Sequence, residues 1–187
     1  MELTLYHTGF QVVEAPNPGF GRHNADFGRG FYLSDDREFS KRWARARRGQ
    51  TTYLNAYALE LAGLKVRRLT RDAQWLSYIF ANRAQQPDIH ADADVLIGPI
   101  ANDTIYDTWG ILTSGLLPPE QALRVLMLGP GYEQTVVKTR AAAAALRFLG
   151  AEELKSEEIA AYRETVAAEE AQFQAQLARL LDDAGEP

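Results

Sequence analysis

The first residues able to do chemistry are His7, in "LYHTG", and the run "DFGRGFYLS" at 26–34. A neutral imidazole both donates and accepts a hydrogen bond, which suits a sugar hydroxyl. Gly9, two residues on, permits close backbone approach to a ligand. In the second stretch Gly28 and Gly30 allow positive φ or a close approach to a flat ligand. Phe27, Phe31 and Tyr32 offer aromatic faces there, and Arg29 can reach a phosphate or a carboxylate. Each has a structural alternative: a strand-end histidine that satisfies its own hydrogen bonds, and a turn or bulge whose aromatics serve the core.

Bulk composition removes several chemistries. With 187 residues and 46% hydrophobic content, the chain is long enough for one well-buried core. It has no cysteine, so disulfides, thiolate nucleophiles and cysteine-ligated metals are excluded. His7, His23 and His90 lack metal-ligand spacing. No apolar run approaches the roughly 20 residues that span a bilayer, and "MELTLYHTGF" lacks a signal peptide's charged and apolar regions. The expectation is a soluble, cytoplasmic protein. A net charge of -5 argues against broad electrostatic binding of nucleic acid. Yet "REFSKRWARARR" (37–48) is strongly basic, and reads first as a solvated face and second as a local phosphate contact.

Elements must position these residues. Alternation predicts strands at 3–7 and 52–61, and "GFYLS", "ADVLIGPI" (93–100) and "QTVVKT" (134–139) read as further strands. Asp35 with Glu38 resembles a capping box, opening a helix with Phe39 and Trp43 on one face and its end at Gly49. Thr70 is expected to cap a helix reaching Arg83, and Pro119 to start one over 120–127. Thr139 is expected to cap the helix "RAAAAALRFLG". Trp75 and Trp109 are expected in the core.

From about Ala151 the composition shifts to Ala, Glu, Gln, Arg and Leu, with Leu154, Ile159, Tyr162, Val166, Phe173, Leu177 and Leu180 on one rough stripe. This reads as a long amphipathic helix or helix pair. Its own domain is the first surface expected to cover the stripe, and a partner chain the second. Strands and helices do not alternate regularly, and no GxGxxG opens a helix, so a doubly wound sheet is disfavoured. The fold class is α+β.

Five blocks in order carry a resemblance: "LYHTG", "DFGRGFYLSDD", "WLSYIFANR", "DVLIGPIANDTIYD" and "EQTVVKTRAAAAALRFL". Together they resemble DUF3990, a bacterial family of unknown function that looks like a divergent branch of the ADP-ribosyltransferase fold. The resemblance covers roughly residues 3–150. It implies an ADP-ribosyltransferase-like domain over 1–150, built on a mixed or antiparallel split β-sheet with flanking helices, and a helical extension over 151–187.

The resemblance also implies a His–Tyr–Glu constellation that binds NAD as a substrate. His7 would hydrogen-bond the NAD ribose, and Tyr32 would stack on nicotinamide. Tyr6, Thr8 and Gly9, then Asp26, Phe27, Gly28, Arg29, Gly30 and Phe31, would line the NAD site, with Thr8 offering its backbone to the nicotinamide amide. Arg22 or Arg29 would meet the diphosphate. Gln134 stands first for the third position, where the class has glutamate. Glu133 would point the opposite way, and Asp103 or Asn102 in "IANDT" are the alternatives.

The activity implied is transfer of ADP-ribose from NAD to a protein or nucleic acid, as a toxin of a toxin–antitoxin or anti-phage system. An antitoxin or a second copy of the chain would bind the C-terminal helix. The alternatives are NAD hydrolysis, transfer of an RNA 2′-phosphate to NAD, and a non-catalytic binding module.

Overall fold

The computed structural model describes residues 1–101, 124–125, 128 and 131–185. Its strands form two sheets. In the first, β1 (Glu2–Gly9), β3 (Thr52–Glu60) and β7 (Leu146–Leu154) run antiparallel in the order β1-β3-β7. In the second the order is β2 (Phe31–Leu33), β6 (Glu133–Val137), β5 (Val95–Pro99), β4 (Val66–Arg68), antiparallel except for the parallel β4–β5 pair. The chain is thus α+β with one antiparallel and one mixed sheet.

The sheets touch edge to edge at one place. Tyr6 N–H donates to Ser34 O at 2.8 Å and Ser34 N–H returns to Tyr6 O at 3.0 Å. On one side of this join, Leu5, Tyr57 and Leu59 of the first sheet bury against Leu33, Val95, Ile97 and Val137 of the second. On the other, α2 (Ala73–Arg83) lays Trp75, Leu76 and Ile79 over Leu96 and Val136. Trp75 is core, as its apolar context predicts, and its indole N–H donates to Pro99 O at 3.1 Å. Trp109 lies outside the described residues.

Several boundaries differ from expectation. The N-cap of α1 (Arg37–Lys41) is Asp36, whose carboxylate accepts from Phe39 N–H, and the helix stops after five residues. Gly49, at φ +75°, instead serves the Arg47–Gln50 turn. Asp72, not Thr70, caps α2 by accepting from Trp75 N–H at 2.8 Å, while the Thr70 hydroxyl supports that carboxylate.

Thr139 does cap a helix, but α3 (Arg140–Ala144) is one turn and a half, and the expected helix becomes β7. The alanines favour helix locally. "LRFLG" prefers a strand because Leu146 and Phe148 alternate into the inter-sheet core against β3. Leu149 then has no partner across β3, where the register shifts between Ala56 and Tyr57. The sheet therefore continues past 150, and the last helix, α4, begins at Ser156 (Ser156–Gly185). Of the helix expected over 120–127, Arg124 and Val125 are described and helical.

The basic segment and the acidic tail are partners. Lys41 bonds Glu158 at 2.7 Å, Arg42 pairs with Glu169, and Arg37 with Glu152. Phe39 stacks on Tyr132, with ring centroids 4.1 Å apart, and the Arg42 guanidinium lies 4.9 Å from the Tyr132 centroid. Ile159 is buried among Ala44, Leu54 and Leu154, while Phe173 and Leu177 pack with Val125. Ile159, Phe173 and Leu177 of the α4 stripe thus pack on their own chain, while Val166 is exposed. This also explains why α1 is short: Lys41 and Arg42 must both reach α4.

Removing the acid from this clamp leaves a buried guanidinium without its counter-charge. Glu169→Gln is expected to lower stability by about 2 kcal/mol in urea unfolding. Glu164→Gln, an exposed neighbour on the same helix, should change it by less than about 0.5 kcal/mol.

Candidate functional site

His7 sits on β1 one residue beyond the join with Ser34. Its Nδ1 lies 2.9 Å from Tyr32 O, and a carbonyl only accepts, so Nδ1 carries the proton. Burial lowers the imidazole pKa from 6.5, opposed in part by that hydrogen bond, and the ring is neutral near pH 7. The Nε2 lone pair is then an acceptor. A Cβ on Gly9 would lie 3.3 Å from Nε2, so glycine there keeps that nitrogen uncovered. The side chain of Thr8 is occupied: its hydroxyl donates to Ser40 O at 2.6 Å and ties β1 to α1.

The ring against His7 belongs to Phe31, with centroids 4.5 Å apart. Tyr32, the next residue along β2, faces the opposite side, toward the core under α2. Its hydroxyl donates to Gly28 O at 2.6 Å and accepts from Phe27 N–H at 2.9 Å. Burial pushes that hydroxyl far above its ordinary pKa, so it stays protonated and holds the turn.

Most of the "DFGRG" turn is anchored inward. Asp26 pairs with Arg83 at 2.7 Å, Phe27 is fully buried, and Phe27 O accepts from Lys138 Nζ at 2.6 Å. Lys138 also pairs with Asp88, which accepts from the Tyr78 hydroxyl. Gly28 has φ +69°, and a side chain there would press on Asn82 and Asp88. At Gly30 a Cβ would sit 2.5 Å from Val136 Cγ1. Of the turn's side chains Arg29 alone faces water. Asp26, Phe27 and Gly28 therefore support the site from behind.

Gln134 is buried on β6, paired with Gly98, and its Nε2 has no hydrogen-bond partner. The β2–β6 register, continued one step, sets it across from Ser34, on the face shared by Tyr32 and Val136. Glu133 points the other way and is exposed, while its carbonyl accepts from the Ser34 hydroxyl at 3.0 Å. The structure thus brings His7 and Phe31 into contact and sets Gln134 one strand beyond the Tyr6–Ser34 join. Asn102 and Asp103 lie outside the described residues.

One positioning feature escaped sequence reasoning. Asn55, fully buried in β3, donates to Gln11 O at 3.1 Å and accepts from Val13 N–H at 2.9 Å, holding the chain that leaves β1. A lone asparagine inside an aromatic strand was the available signal. Trp43 does share a face with Phe39, their rings meeting edge to face at 5.9 Å, though it is 53% exposed where Phe39 is 7%. Among the described residues no three His, Asp or Glu side chains could hold a metal ion together. No described helix is long and apolar enough to cross a membrane.

The burial of His7 makes stability depend on pH with a definite sign. Its folded pKa lies below the unfolded value of 6.5, so in mild acid the unfolded chain takes up a proton that the folded chain refuses. Stability should fall as pH drops from about 6.5 toward about 5. His90 contributes with the same sign, from burial and then the charge of Arg67. Thermal unfolding of His7→Gln, which can still donate to Tyr32 O, should show a shallower loss over that window.

Comparison with known proteins supports one assignment. The model of the DUF3990 family, described as proteins of unknown function, matches residues 3–148. No curated protein and no solved structure gives a match. The matched span runs from the first residues of β1 into β7, so it contains His7, the "DFGRG" turn, both sheets and Gln134. The chain belongs to the DUF3990 family.

Proposed function

We propose that this protein is an NAD-dependent ADP-ribosyltransferase whose donor site is centred on His7. The observation that carries the reading is the state of that imidazole. It is neutral, with its proton fixed on Nδ1 by the Tyr32 carbonyl and an uncovered acceptor nitrogen beside the Phe31 ring. Such an acceptor suits a ribose hydroxyl, and the aromatic edge suits a flat heterocycle.

In the reaction, the bond from C1′ of the ribose to nicotinamide breaks with its electron pair leaving on nicotinamide. A lone pair of the acceptor then closes on C1′, and the acceptor's proton goes to solvent. The residues of this chain position and shield. His7 orients the ribose, Phe31 flanks it, and the Tyr32 hydroxyl holds the turn that carries both β2 aromatics. Gln134 carries a buried, unpartnered amide, but on the face of the sheet shared with Tyr32 and opposite to Phe31, so it is not placed beside His7. It carries no charge, so stabilising the developing cation falls to another group.

The neutral Gln134 also favours a second reading, a module that binds NAD without turning it over. Incubation with nicotinamide-labelled NAD separates the two. Under the transferase reading, wild type releases nicotinamide, and His7→Ala slows that release at least about 100-fold while the fold persists. Under the binding reading, NAD raises the melting temperature by mass action and no nicotinamide appears. No thermal shift at millimolar NAD would overturn both.

A further inference from the structure

Two stretches almost free of acid border the strand end that carries His7. Residues 15–34 hold one carboxylate, Asp26, already paired with Arg83, and residues 39–59 hold none, in a chain with 25 acidic residues. The basic residues of these stretches divide into two groups. Lys41 and Arg42 are buried against α4. Arg22, Arg29, Arg47 and Arg48 face water, as does Arg45, whose guanidinium donates to the carbonyls of Arg42 and Ala44, and none of the five forms an ion pair among the described residues.

Phe20 stands among them, 88% exposed. It is rigidly held. Asn17 caps the 3-10 turn Pro18–Phe20 by accepting from Gly19 N–H at 2.9 Å, and Pro18 is buried. Behind the ring, Gly21 lies so near the main chain of Gly30 that a Cβ would be 2.2 Å from Gly30 O. The turn is thus clamped beside Phe31, the residue that touches His7. Arg47 reaches the same strand end, its guanidinium 5.2 Å from the ring centroid of Phe10, three residues after His7.

We propose that Phe20, with Arg22 and Arg29 near it, Arg47 beside Phe10 and Arg48 next along the chain, forms a platform for single-stranded nucleic acid. A base stacks on the exposed ring, and phosphates lie against the guanidiniums. An apolar protein groove would want apolar neighbours around Phe20. The exposed residues within four positions of it are instead Asn17, Arg22, His23 and Asn24, all polar. Four arginines in an otherwise acidic protein make a small footprint, so the salt dependence is modest, with a log–log slope of about −3 or shallower. Binding itself does not depend on the transferase reading; only the role of the bound strand does, and under that reading nucleic acid is the acceptor class.

The test is fluorescence anisotropy of a labelled mixed-sequence 12-nucleotide strand, as DNA and as RNA, titrated with the full chain. Nicotinamide release from NAD without oligonucleotide is measured in parallel. Phe20→Ala and the pair Arg47→Glu with Arg48→Glu should each weaken oligonucleotide binding at least about tenfold, with nicotinamide release unchanged. Binding that needs Phe20 in a protein that never turns over NAD would keep the platform and remove the transferase reading. Absence of binding by wild type at about 100 µM protein, or equal binding by Phe20→Ala, overturns the platform. So does a raised KM for NAD in Phe20→Ala at unchanged oligonucleotide affinity, which would place the ring in the donor's site.

Discussion

The two hydrogen bonds between Tyr6 and Ser34 are the constraint on which the rest turns. They are the place where one sheet borrows an edge from the other, and everything proposed for the site lies within a few residues of them. Moving one residue along β1 gives His7, and moving back along β2 gives Tyr32, whose carbonyl orients the imidazole. Crossing to β6 gives Gln134. A strand edge is costly to leave unpaired in a closed core. Here the edges satisfy each other only once and then diverge, which leaves an imidazole nitrogen and an aromatic ring uncovered at the fork.

The charge pattern has a structural half and an open half. Two acids of the last helix, Glu158 and Glu169, answer Lys41 and Arg42: both cations are nearly excluded from water and would otherwise be stranded. The aromatic pair Phe39 and Tyr132 completes that clamp, and since Tyr132 directly precedes β6, the C-terminal helix reaches the strand of Gln134 through it. The remaining arginines have no such obligation. The same twelve-residue run therefore holds both a structural anchor and a solvent-facing charge, divided at Trp43.

How much was legible followed physical rules that can be named. The aromatic-rich strand 52–60 and the helix 73–83, with its buried apolar side, were readable because local pattern and tertiary demand agree. The alanine run misled because helix propensity is a local quantity, whereas β7 is required by the open edge of β3. β4, three residues long, carries too little pattern to be seen. At the site, His7 and the glycine turn were legible from residue type. That the ring beside His7 is Phe31 and not Tyr32 was not, because adjacent strand residues differ only in parity, and parity is set by which face meets the core.

The contact between Gly21 and Gly30 closes the eight residues from Arg22 to Arg29 into a ring whose neck is main chain against main chain. Loop closure costs little more as a loop lengthens, since the entropy grows only with the logarithm of its length. Residues added or removed at 22–25 would change the size of the ring and leave its neck alone. Relatives of this chain can therefore vary this loop in length without shifting the register of β2, because the neck, and not the loop, sets where Phe31 begins.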